Sequence, residues 1–147
     1  MKDIHIAIGC LALGLNLLAF AWGAVAWFRK TASEWFWRLL RAGQVMVVLE
    51  CALGGILLLM GKKASDLHYL YGVLPIVVAV IAEQLKISAA TQILDARELE
   101  TGAQVGQLPQ EEQRAIVIAI VRREIGVMTL SALVVTALLA RAAMVIH

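Results

Sequence analysis

The chain has 147 residues, of which 61% are hydrophobic and 16% are charged, and its mean hydropathy is +0.82. This composition is too apolar for a soluble domain of such length and is typical of an integral membrane protein. The formal net charge of +2 is too small to indicate a nucleic-acid partner. We therefore expect one membrane domain over residues 1–147, with the lipid bilayer as its surroundings.

Four segments are long and apolar enough to cross a bilayer, since a spanning helix needs about 20 mostly apolar residues. They are residues 4–28, 36–60, 67–86 and about 120–140. The first lacks the basic start and the small-residue cleavage pattern of a secretory leader, so we interpret it as a retained anchor. The sequence predicts an all-α fold, a bundle of four transmembrane helices.

The distribution of lysine and arginine predicts the orientation of these helices. One side of the membrane receives Arg29, Lys30, Arg38, Arg41, Lys86, Arg97, Arg114, Arg122 and Arg123. The other side receives only Lys2, Lys62, Lys63 and Arg141. Because cytoplasmic loops are enriched in these residues, the first side is expected to be cytoplasmic. An even number of spans then places both termini outside a cytoplasmic (inner) membrane.

Helical spacing continues beyond the inner end of the third span. Pro109, with Glu111 and Glu112 behind it, is typical of the start of a further helix, where acids suit the helix dipole. We expect helices three and four to extend as an antiparallel cytoplasmic hairpin over residues 83–124. It is either a solvated connector or a docking site for a cytoplasmic partner.

A belt of charged residues is predicted where this hairpin meets the membrane. Counting 1.5 Å per residue from the outer ends places Glu83 and Arg123 near the inner boundary. We expect Arg122, Arg123 and Glu124 to pair with Glu83, and with Arg41 or Gln44 of the second helix. The belt is interpreted as structural; its members are Arg41, Glu83, Arg122, Arg123 and Glu124.

A short repeat links the starts of the first and third spans. Both have an aspartate, then a histidine two residues later and a glycine four residues after that: Asp3, His5 and Gly9 in one, and Asp66, His68 and Gly72 in the other. Residues 41–46 and 123–128 of the second and fourth helices also match in part. The order is that of a duplicated helical hairpin, which predicts a pseudo-two-fold axis along the membrane normal.

The repeat predicts a haem site near the outer face. Two histidines at equal depth on facing helices of a bundle are typical of axial ligands to a b-type haem iron, and His5 and His68 fit that pattern. Gly9 and Gly72 share a face with their histidines and would leave room for a flat macrocycle. We therefore favour a haem-binding protein of electron transport.

Two other interpretations of the histidines stay open. They can be structural residues at the headgroup level, one turn into helices that Asp3 and Asp66 cap. Alternatively, His5 and His68 could hold copper or zinc together with His147, because imidazole is a suitable ligand for both metals.

A buried carboxylate supports a second functional hypothesis. Glu50 lies 11 residues before Gly61, which predicts a position about 16 Å below the outer boundary, near the midplane. Ionisable groups there are costly and usually functional. We expect Asn16, with Thr129 or Ser131, at similar depth and able to hydrogen-bond a protonated Glu50. Glu50 could relay protons in a redox protein or drive a proton-coupled transporter.

The chain resembles known membrane families only in outline. Small multidrug transporters are similar in having four helices and a buried glutamate, but theirs lies on the first helix, where this chain has Asn16. Four-helix b-type cytochromes with two histidine ligands are similar in architecture. No catalytic motif of a stand-alone enzyme is present. A redox carrier, a transporter or a non-catalytic subunit is favoured, as a homo-oligomer or within a membrane complex.

Overall fold

The computed structural model describes residues 1–99 and 101–145 of the chain. The helices in this part are α1 (Lys2–Arg29), α2 (Glu34–Leu59), α3 (Asp66–Asp95), the short α4 (Gly102–Val105) and α5 (Gln110–Met144). Among them, α1, α2, α3 and α5 are each long and apolar enough to cross a membrane. This confirms the predicted all-α chain with four candidate spans. Both α3 and α5 run well past the apolar segments that the sequence marks.

Serine side chains fix the starts of α2 and α3. The Oγ of Ser33 accepts a hydrogen bond from the amide of Phe36, and the Oγ of Ser65 accepts one from the amide of His68, both at 3.3 Å. Each satisfies an amide that the helix itself leaves unpaired. Asp3 and Asp66 therefore lie inside the first turns and do not cap their helices, contrary to expectation. Their charge is still favourable there because of the helix dipole.

Helix α5 is the most buried of the four long helices. In its most apolar stretch of 18 residues, half of the residues are buried, against 17% in the corresponding stretch of each other helix. It packs along both α1 and α3, while α1 also packs along α2. The other faces of α1, α2 and α3 expose large apolar side chains, including Leu17, Val48 and Val80. Such faces suit lipid, which is as apolar as they are.

The two seams between the hairpins are packed differently. A strict two-fold repeat would make the α1/α5 and α2/α3 seams alike, yet α1 and α5 pack closely while α2 and α3 touch at few residues. Glycines explain the close seam: Gly23 lies against Thr129, and Gly126 lies against the Trp27 ring. Small residues let helix backbones approach each other in a membrane. The bundle is therefore closed between α1 and α5 and loose between α2 and α3.

Candidate functional site

The end of the bundle at which α1 and α3 begin, called here the histidine end, brings together His5, Glu50 and His68. The Nδ1 atom of His5 lies 3.2 Å from Oε1 of Glu50. The centroids of the two imidazole rings are 6.0 Å apart, with the ring planes at 72°. Three separate helices thus supply three polar side chains to one point. Such edge-to-face contact is also common between aromatic rings that only pack.

Each histidine directs its Nδ1 atom at the second helix of its own hairpin. The Nδ1 of His68 lies 2.9 Å from the carbonyl oxygen of Ala142 on α5. Since a carbonyl can only accept, this nitrogen carries the proton in the neutral ring, and Nε2 keeps its lone pair. The Nδ1 of His5 lies within ion-pair distance of Glu50, without the alignment of a hydrogen bond. Metal-ligating histidines are commonly oriented by such partners.

The two glycines of the repeat have different surroundings. A Cβ atom on Gly9 would lie 2.6 Å from Oε1 of Glu50, so the absence of a side chain here makes room for that carboxylate. A Cβ atom on Gly72 would meet no heavy atom within 4 Å. On α2, a Cβ atom on Gly54 would lie 3.5 Å from Cε1 of His5. A side chain at position 72 would therefore have free space, whereas one at position 9 would not.

The structure does not bring Asn16 to Glu50. Glu50 lies against Gly9, whereas Asn16 lies against Gly43, seven residues earlier on α2 and about 10 Å further along that helix. The predicted depths of Asn16 and Glu50 require the outer ends of α1 and α2 to lie at the same level of the membrane. Instead α2 continues for nine residues beyond Glu50, to Leu59, while α1 starts only three residues before His5. Because α2 extends further than α1 at this end of the bundle, His5 lies level with the Glu50 carboxylate.

The predicted partners on α5 are also elsewhere. Thr129 lies beside Gly23, toward the other end of α1. Ser131 is buried and lines a groove between α2 and α3 together with Asn16. Within the described part of the chain, Oε2 of Glu50 is buried without a hydrogen-bond partner. In that part of the chain, one carboxylate oxygen contacts His5 and the other is unpaired.

The charged belt forms around Glu83. Its carboxylate pairs with Arg41 of α2 and, at 2.8 Å, with Nζ of Lys86. The Trp37 ring lies beneath both cations, 6.0 Å from the Arg41 guanidinium and 5.4 Å from Nζ of Lys86. Gln44 joins this cluster through Arg41 at 2.6 Å. Glu83, Arg41 and Gln44 therefore contact one another directly, whereas the sequence predicted that the α5 residues would pair with each of them.

The α5 members of the belt make other contacts. The Arg123 side chain donates to Oε1 of Gln92 on α3 at 3.3 Å, not to Glu83. Arg122 is exposed and Glu124 is half-buried. Lys86 takes the place that the sequence assigned to these arginines, because it lies three residues from Glu83 on the same helix face. That spacing was a signal available in the sequence.

Two further groups near the histidine end were not predicted. The Sγ of Cys51 donates to the carbonyl oxygen of Gly72 at 3.0 Å and links α2 to α3. The Ala142 carbonyl that orients His68 is a backbone group, for which a sequence carries no signal. His147, which the copper or zinc hypothesis requires, lies outside the described residues.

Among residues 1–99 and 101–145, no three histidine, cysteine, aspartate or glutamate side chains are grouped to hold a metal ion. No family model, no curated protein and no solved structure matches this chain.

Proposed function

We propose that this protein binds a b-type haem between His5 and His68 and carries electrons in a membrane. The observation that supports it is the paired arrangement of the two rings, 6.0 Å apart and each with Nδ1 directed at a neighbouring helix. Two imidazoles on opposite sides of one metal ion have centroids about 6 Å apart, because each metal–nitrogen bond is about 2 Å. Both Nε2 atoms are left as the ligating atoms.

The residues of the site have separate tasks in this proposal. A bound haem would supply one-electron redox chemistry, with a potential set by its ligands and their surroundings. His68 is held in one tautomer by the Ala142 carbonyl, and Glu50 orients His5 and would stabilise positive charge nearby. Gly72, one turn after His68, leaves free space at its own position, where a Cβ atom would meet no heavy atom within 4 Å. Gly9 contributes indirectly, by admitting the Glu50 carboxylate.

The protein is proposed to cross a cytoplasmic (inner) membrane four times with both termini outside. The basic residues at the inner ends of the spans support this orientation. The histidine end then faces outward, and the residues of the 83–124 hairpin face the cytoplasm. In that segment Leu99, Leu108 and Ile116 line an open hollow, which supports docking of a partner subunit or a second copy.

A visible spectrum tests the haem proposal directly. Protein purified in mild detergent from cells supplied with haem precursor should show a Soret band, and sharp α and β bands should appear on reduction with dithionite. Because both axial positions would be filled by imidazole, carbon monoxide should change the reduced spectrum little. A preparation that has no Soret band, even after reconstitution with haemin, would reject the proposal.

A second candidate function is proton-coupled transport centred on Glu50. The observation in its favour is the pairing of this carboxylate: Oε1 contacts His5 while Oε2 has no hydrogen-bond partner among the described residues. A half-satisfied carboxylate inside a membrane bundle is costly unless it binds a proton or another cation during its work. The adjacent imidazole provides a second group that can accept a proton.

Substitution of Glu50 by glutamine tests this second function. In liposomes with an internal pH dye, an imposed gradient of ethidium, a lipophilic cation, should drive proton movement in the unmodified protein and none above empty liposomes in Glu50→Gln. Glutamine keeps the shape of the side chain and cannot exchange protons. Gly14→Ala is the matched control, since a Cβ atom there meets no heavy atom within 4 Å. Flux that survives Glu50→Gln would exclude the role.

A further inference from the structure

The loose seam between α2 and α3 contains a side groove of about 220 Å³. Polar bridges close its two ends. At the histidine end Cys51 donates to the Gly72 carbonyl, and at the other end Arg41 and Gln44 meet Glu83. Between these bridges the groove is open toward the side of the bundle. In a bilayer, this opening would face the lipid chains.

The walls of the groove are almost wholly apolar. Its middle is formed by Val47 and Val48 of α2 and by Pro75, Ile76 and Ala79 of α3. An enclosed apolar cavity of about 150 Å³ is large enough to bind benzene. A volume of about 220 Å³ can therefore take a substituted aromatic ring, and the open side leaves room for an attached chain.

One polar side chain at the floor of the groove is incompletely paired. Asn16 lines the groove and is 1% exposed. Its Nδ2 donates to the carbonyl oxygen of Ala12 at 2.8 Å, whereas Oδ1 is buried without a hydrogen-bond partner in the described part of the chain. Asn16 lies near the middle of α1, between Lys2 and Arg29. Water is scarce at that depth, so an unpaired acceptor is costly there.

The position of this amide is fixed by its neighbour on α2. A Cβ atom on Gly43 would lie 2.8 Å from Nδ2 and 3.2 Å from Oδ1 of Asn16, so only glycine lets the side chain stay where it is. The bond to Ala12 also settles which end of the amide is the acceptor, since a carbonyl needs a donor. The free Oδ1 is therefore a buried, fixed hydrogen-bond acceptor on a residue that lines an apolar groove.

We propose that this groove is a binding site for a phenol-type molecule that enters from the lipid and donates its hydroxyl to Oδ1 of Asn16. The apolar walls favour an uncharged ring, and the unpaired Oδ1 favours a molecule with a hydroxyl donor; the Ser131 side chain lines the same groove. The site is separate from the histidine pair and does not depend on haem binding. It is formed where the α2/α3 seam fails to close.

Binding of a phenol and of its methyl ether tests the proposal. The probes are 4-propylphenol and 4-propylanisole, which share a shape but differ in the hydroxyl donor. Dissociation constants are measured by equilibrium dialysis on the full chain in detergent, with empty micelles as the blank. In Asn16→Leu, which keeps the side-chain shape, 4-propylphenol should bind about tenfold more weakly, as expected for one buried hydrogen bond. Binding of 4-propylanisole should not weaken.

A second pair of variants tests the location without altering Asn16. Val48 and Val45 are both on α2 and are 55% and 54% exposed, but only Val48 lines the groove. Val48→Trp should block binding of both probes, and Val45→Trp should leave both unchanged. Equal weakening of the phenol and the ether in Asn16→Leu would overturn the hydrogen bond. Phenol binding that persists in Val48→Trp would overturn the site, even if Asn16→Leu proved unstable.

Discussion

Under the haem proposal, His5→Ala and His68→Ala should each lower the haem content of the purified protein by at least about tenfold. Even partners that only orient a metal-ligating histidine cost roughly 10- to 100-fold in metal affinity when they are removed, and these variants would remove a proposed ligand itself. The His5 and His68 rings come from α1 and α3, and their centroids are 6.0 Å apart. Each of these helices contains only one histidine, so neither ring has a substitute on its own helix. Haem content and the reduced spectrum of each variant measure the effect.

Rescue with imidazole separates a ligand from a packing residue. In His68→Gly, free imidazole should enter the vacated space and restore the spectrum of two imidazole ligands, whereas a residue that only packs would show no spectral recovery. His147→Ala should keep the spectrum, since the haem proposal does not use that residue. If His147→Ala removes the spectrum, or if the metal content is copper or zinc, the site is a different metal centre and the haem proposal is wrong.

Gly23→Ala destabilises the bundle by about 1–3 kcal/mol, the usual cost of an added methyl group in a packed interior. The new Cβ atom would lie 2.5 Å from Cε2 of Phe36 and would also meet the Thr129 hydroxyl. Phe36 is 0% exposed and Thr129 is 1% exposed, so neither can move aside easily. The free energy of unfolding in mixed micelles, measured by titration with a denaturing detergent, gives the size of the effect.

Gly14→Ala is the control for this experiment, because it makes the same change on the same helix. No heavy atom lies within 4 Å of a Cβ atom there. Alanine is the better helix former, by up to about 1 kcal/mol in water, so Gly14→Ala should be neutral or stabilising. If the two variants have equal stability, α1 and α5 do not pack through Gly23, and the close seam has been assigned wrongly.

Much of the architecture could be predicted because it depends on properties of single segments. Four apolar runs of spanning length predict four long helices, since a backbone in lipid must satisfy its own hydrogen bonds. Pro109 marks the start of α5, as expected from its missing amide donor. The shared pattern around His5 and His68 also predicts two rings at the same end of the bundle, because both lie in the first turn of their helices, three residues after Lys2 and two residues after Asp66.

The four long helices, and the placement of the two histidines at one end of the bundle, therefore follow from the sequences of single segments. The neighbours of each polar group depend on helix packing, because helices in a bundle shift along one another by amounts that no single segment records. The stagger of α2 past α1 brings Glu50 to His5 and leaves Asn16 beside Gly43. Close packing at Gly23 closes one seam, while the opposite seam stays open over Asn16.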